Sequence, residues 1–134
     1  MANILVNEGK YELLKGTFGD LSSGTTIKLA LVNNSIGTVN SATLYSNVSG
    51  NIVAGSIVSL TGKTITNNSN VFTAANPTIS GVASGISVKG YIIYFDNGTI
   101  QRLIGFVDTG TGLPFTTNGG NITITFSGSG IFAL

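Results

Sequence analysis

The sequence predicts an all-β chain, an antiparallel β-sandwich (jelly-roll-like or Ig-like) with one short N-terminal helix. Three observations carry that prediction. Apolar segments recur roughly every eight to twelve residues with Gly, Asn, Asp and Ser between them, the spacing of a sandwich or barrel. The dipeptide Asn97-Gly98 stands between two long apolar segments, a strong short-range hairpin signal. Asn121 to Phe126 alternates Ile or Phe with Thr, so one face is buried and the other is wet or pairing.

The 134 residues fit one domain, a single β-sandwich over 1–134 with residues 1–20 as an N-terminal arm and short helix. A chain of this size buries enough apolar surface to fold without staples. Asn7 is placed to cap the helix by accepting from the first free N–H groups, and Glu8 in the first turn suits the helix dipole. Tyr11, Leu14 and Phe18 fall on one helical face, and Gly16 or Gly19 ends the helix. That face is expected to plug one end of the β core, with an interface helix or arm as the alternative.

The remaining elements are expected as strands. Ile27 to Val32 is apolar and bounded by Gly24 and Asn33-Asn34. Val39 to Tyr45 and Ile52 to Leu60 follow, separated by Ser49-Gly50-Asn51. Lys63 to Thr66 and Val71 to Ala75 flank Asn67-Asn68-Ser69-Asn70. Pro77 to Ser80 suits an edge, because Pro lacks a ladder donor. After the Gly128-Ser129-Gly130 break, Ile131 to Leu134 is apolar, and Leu134 is expected to be docked.

The hairpin joins Ser87–Phe95 to Ile100–Asp108. A type I′ turn at Asn97-Gly98 would pair Phe95 with Ile100, Ile93 with Arg102 and Tyr91 with Ile104, and on the other face Tyr94 with Gln101 and Ile92 with Leu103. Both faces of that pair are then apolar, which places it centrally in a layered fold or at a subunit interface. Arg102, among apolar neighbours, is expected to snorkel at an edge or to meet a carboxylate across an interface.

Charged residues make up 8% of the chain and net charge is +1, against about 25% charged in an average domain. Lys10, Lys15, Lys28, Lys63, Lys89 and Arg102 are dispersed, so no cluster neutralises phosphates and no nucleic-acid partner is expected. No stretch reaches the roughly 18 apolar residues that would cross a membrane as a helix. Met1 to Glu8 lacks a basic region followed by a long apolar run, so a signal peptide is not expected. The Asn-X-Ser/Thr matches at Asn47, Asn67, Asn97 and Asn121 are then read as compositional.

Catalytic chemistry is sparse. With no His and no Cys, the commonest neutral-pH base, the thiolate nucleophile and the usual zinc ligands are missing. The carboxylates are Glu8, Glu12, Asp20, Asp96 and Asp108. Two carboxylates suffice for glycoside hydrolysis, but Asp96 and Asp108 sit beside turns and are read as bonding their own backbone. Asp96, Asn97 and Thr99 offer oxygens for calcium without the carboxylate density of a strong site. Gly110-Thr111-Gly112 and Gly128-Ser129-Gly130 lack the following helix and Gly-Lys-Ser/Thr of a phosphate loop. The expectation is a chain that is not an enzyme, with no catalytic, cofactor-binding or metal residues and no cofactor.

Several stretches carry a family resemblance. They are Ala2-Asn3-Ile4-Leu5-Val6-Asn7-Glu8-Gly9-Lys10 leading into Leu13-Leu14-Lys15; Ile27-Lys28-Leu29-Ala30-Leu31-Val32; Val53-Ala54-Gly55-Ser56; Tyr91-Ile92-Ile93-Tyr94-Phe95-Asp96; and Gly119-Gly120-Asn121-Ile122-Thr123-Ile124-Thr125-Phe126 with Gly130-Ile131. In pattern and composition the chain resembles small β-rich virion structural proteins of tailed bacteriophages. The resemblance implies a β-sandwich subunit of the capsid exterior or of the tail and transfers no site residues. The Tyr and Phe residues fall mostly at core-like strand positions and Trp is absent, which favours a capsid decoration (cement) protein. Low charge and closed symmetry make a homo-oligomer, a trimer, the expectation, with the major capsid protein as partner. A tail or fibre component, with tail proteins as partners and a host surface glycan as ligand, is the alternative.

Overall fold

A computed structural model describes residues 4–24, 26–68, 70–109 and 112–133. In chain order the elements are β1 (Ile4–Leu5), α1 (Asn7–Lys15), β2 (Ile27–Asn33), a 3-10 turn (Asn34–Ile36), α2 (Tyr45–Val48), a second 3-10 turn (Ser49–Asn51), β3 (Val58–Ser59), β4 (Thr64–Thr66), β5 (Val71–Thr73), β6 (Thr78–Ile79), β7 (Ser87–Asp96), β8 (Gln101–Val107), β9 (Phe115–Thr116), β10 (Ile122–Thr123) and β11 (Phe132–Ala133).

The centre is an antiparallel sheet in the order β1-β8-β7-β2-β3. β7 is longer than its neighbour β8, and β9 pairs with Ser87 and Val88 on the stretch that β8 leaves free. A second layer consists of β11-β5-β4 and β10-β6. The fold is all-β and sandwich-like, as the spacing of apolar segments predicts.

Strand alternation sends side chains to two cores. Ile27, Leu29, Leu31, Tyr91, Ile93, Phe95 and Ile104 meet Phe72, Ile79, Ile124 and Phe126 of the second layer. On the opposite face Ala30, Val32, Ile92, Tyr94, Leu103 and Phe106 meet Val6, Val39 and Val48, with Tyr45 and Ile52 packed alongside. That second face is covered by the segment 34–52 rather than by strands. The hairpin is therefore central in a layered fold, and both of its apolar faces are covered by this same chain.

The register differs from the expected one. Asp96 pairs with Gln101, Phe95 with Arg102 and Tyr94 with Leu103, and an irregularity between Ile93 and Tyr94 places Ile93 opposite Gly105. The loop therefore spans four residues instead of two. Gly98 has φ +89° while Asn97 is not left-handed, so a type I′ turn, which needs both, is not formed. The Asn97 side chain closes the loop instead: its Oδ1 accepts from the N–H groups of Thr99 and Ile100, each at 2.9 Å.

The helix has the expected period with a different phase. Gly9 and Glu12 are buried, whereas Tyr11 is 61% and Leu14 90% exposed. The cause lies along β8 where its pairing with β1 ends. Val6 donates to the Ile104 carbonyl at 2.9 Å, and Glu8 Oε2 accepts from Leu103 N–H at 2.6 Å. These bonds press the Gly9 side of the turn against the strand, where a Cβ on Gly9 would lie 2.7 Å from Ile104 Cα. Val6, not Asn7, is the N-cap and no side chain caps the helix; Gly16 closes it at φ +78° as expected.

Two expected strands give way to side-chain turns. Within Val39–Tyr45, Asn40 Oδ1 accepts from Ala42 N–H, and Thr43 Oγ1 accepts from Asn40 N–H. This local bonding competes with a ladder, and Tyr45 starts α2. Within Ile52–Leu60, Ile52 makes a single bridge to Val32, and β3 is confined to Val58–Ser59. Between them the buried Ser56 hydroxyl accepts from Leu31 N–H at 3.1 Å and donates to the Val53 carbonyl at 2.6 Å, standing in for a strand partner. Lys63 precedes β4 and turns inward, where its Nζ donates to the carbonyls of Gly24 and Leu60. Thr78–Ile79 forms an edge strand as expected, and Leu134 lies outside the described residues.

Candidate functional site

The carboxylates come first, because they are the natural seats of acid–base chemistry in a chain without histidine. Glu8 sits at the start of α1, and besides Leu103 its Oε2 accepts from Tyr45 N–H at 2.8 Å. One carboxylate oxygen thus ties β8 to α2. Glu12 is buried one turn later, 3.3 Å from Arg102 Nε and 3.8 Å from Lys15 Nζ. The Thr17 hydroxyl, followed by Arg102 and Lys15, holds the Glu12 carboxyl below its ordinary value against the opposing effect of burial. Arg102 therefore meets a carboxylate of its own chain, where an edge position or a contact across an interface is expected.

Asp20 accepts from the Ser22 hydroxyl and N–H, which keep its carboxyl acidic. Asp96 accepts from Gly98 N–H at 2.9 Å and Gln101 Nε2 at 3.1 Å, and pairs with Lys28 at 3.3 Å. The Gly98 N–H, then Gln101 and Lys28, hold it below its ordinary value. Of the Asp96, Asn97 and Thr99 oxygens considered for calcium, those of Asp96 and Asn97 are engaged by the protein itself: both Asp96 oxygens and Asn97 Oδ1 already accept from the turn and its neighbours. Among the described residues no three His, Cys, Asp or Glu side chains come together, and no helix is long and apolar enough to cross a membrane.

A groove of about 760 Å³ lies where the chain leaves the central sheet for the second layer. It opens between β9 and the extended stretch that runs from β10 to Ser127. Tyr91 and Phe126, in edge-to-face contact with ring centroids 6.1 Å apart, line it together with the half-buried Phe115. Burial pushes the Tyr91 hydroxyl up to about 12, so it is a neutral hydroxyl at any ordinary pH. The wall carries Thr116, Asn118, Asn121, Thr123 and Thr125, all exposed. No Lys, Arg, Asp or Glu is among the described lining residues.

Sequence reading passes over this groove. The alternation of Asn121–Phe126 does mark Thr123 and Thr125 as the wet face of a strand, and Ile124 and Phe126 are indeed buried. What the alternation lacks is any sign that β9 stands across from that face, because that placement depends on the length difference between β7 and β8.

No protein-family model matches the chain, no curated protein matches it, and no solved structure matches it.

Proposed function

We propose that the chain is a non-catalytic structural subunit of a virus particle, a capsid decoration protein that docks as an oligomer on a lattice of major capsid protein. The observation that carries this reading is the use the fold makes of its charges. Glu8, Glu12, Asp20 and Asp96 are committed to backbone N–H groups, turns and ion pairs that hold elements together. What remains outward is mostly Thr, Asn, Ser and Gly, with Lys10, Lys15 and Asp20 among the few exposed charges, a surface that opposes close packing of copies little. The resemblance of the chain's ends and middle to small phage virion proteins points the same way.

The oligomer reading rests on α1. The hairpin is covered within the chain and argues for no subunit contact. Tyr11 and Leu14 stand three residues apart on the outer side of the helix, both largely exposed. Lys15 Nζ lies 5.0 Å from the centre of the Tyr11 ring. An apolar pair on a rigid helix is a natural seed for a contact between copies, and closed rings are the usual outcome for identical subunits.

The test is add-back to particles of the encoding virus from which the chain has been stripped, read by cryo-electron microscopy. Density at regular positions on the capsid exterior is expected, together with a trimer in solution by light scattering. Leu14→Glu, a surface change with little effect on folding, is expected to dissociate the trimer. A strictly monomeric chain that fails to bind stripped particles overturns the reading.

A further inference from the structure

We propose that the groove between β9 and the β10–Ser127 stretch is a binding site for a neutral carbohydrate. The inference rests on the groove alone and is independent of the decoration reading.

The argument starts from which polar groups are already used. Thr123 shares a hydrogen bond with Thr78 at 3.3 Å, and Asn118 Oδ1 accepts from Gly120 N–H at 2.9 Å. The side chains of Thr116, Asn121 and Thr125 make no hydrogen bond to any part of the described chain, and the Asn118 carboxamide N–H₂ has none either. This contrasts with Asn33, Asn40, Asn47, Asn76 and Asn97, each of which accepts from a backbone N–H. At Asn33, Asn40, Asn47 and Asn97 the amide closes a local turn, and Asn76 reaches Phe126; in the groove, uncommitted hydroxyls and amides line one concavity.

Their chemistry selects the ligand class. Thr and Asn side chains offer both donors and acceptors, which suits a ligand bearing many hydroxyls of the same double character. The groove lacks charge, so it has nothing with which to hold a carboxylate, sulfate or phosphate. Half-buried Phe115, with Tyr91 and Phe126 beneath, supplies an apolar floor on which the C–H face of a sugar ring can rest. The volume of about 760 Å³ falls within the roughly 300–1,000 Å³ of small-molecule sites. An extended peptide added to the unpaired side of β10 is the competing occupant. It would use backbone groups and leave the wall's hydroxyls and amides unanswered.

The experiment is NMR titration of the isotope-labelled full chain with neutral malto-, cello- and chito-oligosaccharides. A tri-galacturonate serves as the acidic control and an alternating Thr-Val octapeptide as the strand control. At least one neutral oligosaccharide is expected to bind, shifting Thr116, Asn121 and Thr125, with an affinity insensitive to salt. Asn121→Ala and Thr125→Val should each weaken binding by about tenfold, the value of one or two hydrogen bonds. Neither side chain supports the fold, so both variants should melt with the parent chain. The proposal is overturned if no neutral oligosaccharide in the panel binds, or if the shifts map elsewhere. It also fails if both variants bind undiminished, if tri-galacturonate binds as tightly as the neutral sugars, or if only the octapeptide binds.

Discussion

The two faces of the central sheet are closed by different physics. One face meets a second layer of strands, and its core is aromatic and aliphatic: Phe72 stacks on Phe132 with ring centroids 5.1 Å apart, and Phe18 lies 4.8 Å from Phe95. The other face meets the irregular segment 34–52, whose backbone polar groups cannot all find ladder partners. Side chains answer them instead: Asn33 for Ser35 N–H, Asn40 for Ala42, Thr43 for Asn40, Asn47 for Leu44 and Glu8 for Tyr45. The difference teaches that the chain's high Asn, Ser and Thr content is not surface decoration alone. On one side of the sheet it takes the place of a sheet.

The comparison can be broken most forcibly in the strand layer. Phe72 is 2% exposed and touches both the central sheet and β11. Phe72→Ala should cost about 3–5 kcal/mol through lost burial and an incompletely filled cavity. In hydrogen exchange the loss should appear as global opening, with β2, β7 and β8 losing protection together. Loss confined to β4, β5 and β11 would show instead that the second layer opens independently of the central sheet.

The next effect is expected at the edge of β8. Gly9→Ala places a methyl 2.7 Å from Ile104 Cα and 2.9 Å from the Leu103 carbonyl oxygen. Both are backbone atoms with little freedom to yield, so α1 must lift. The cost is expected near the upper end of the about 1–3 kcal/mol typical of overpacking. A thermal melt that matches the parent chain would show that α1 is not held against β8 as described.

This edge also shows what the sequence could disclose. The second layer and the central strands are legible because period-2 alternation and turn residues are local signals: Ile27–Asn33, Thr64–Thr66 and Val71–Thr73 fall within a residue or two of expectation. The phase of α1 was not legible. Tyr11 and Leu14 form a sound apolar face on any helical wheel, and the buried Glu12 is answered not only by nearby Thr17 and Lys15 but by Arg102, which lies 90 residues away. The hairpin register failed similarly, because Asn97 closes a four-residue loop with its side chain where the dipeptide alone suggests two. In the groove, Thr123 and Thr125 were legible as a wet face, while the opposing β9 was fixed by long-range pairing.

Glu8 tests the side-chain-bonded face directly and more gently. Glu8→Ala removes the single acceptor for Leu103 and Tyr45 N–H. Leaving the Leu103 group unpaired should cost about 1–3 kcal/mol. Exchange should quicken in 40–48 before it quickens in β5. Glu8→Gln keeps a carbonyl oxygen at the same place and should recover most of the loss, leaving a deficit of about 1 kcal/mol from the weaker neutral bonds. Equal losses in the two variants would mean that the charge, and not the bridge, is what matters.

The smallest effect separates the groups by pH. Glu12 and Asp96 are held below their ordinary values of 4.5 and 3.8. The unfolded chain therefore takes up their protons first as pH falls. Their stabilisation is complete above about pH 5 and is lost as pH drops through the lower folded-state values. Tyr91 behaves in the opposite sense. Burial raises it from 10.0 to about 12, so the unfolded chain ionises first, and stability should decline between those two values. Tyr94, raised by burial on the other face, steepens the same alkaline limb. The acid limb should flatten in Glu12→Gln, because that variant removes the carboxyl that the Thr17 hydroxyl, Arg102 and Lys15 hold acidic, while the alkaline limb stays unchanged. Tyr91→Phe should flatten the alkaline limb alone. Melting temperature scanned from pH 2 to 12 in the three proteins decides the matter. A parent chain whose stability is flat below pH 5 would show that Glu12 and Asp96 are no more acidic folded than unfolded, and would remove the electrostatic side of the contrast.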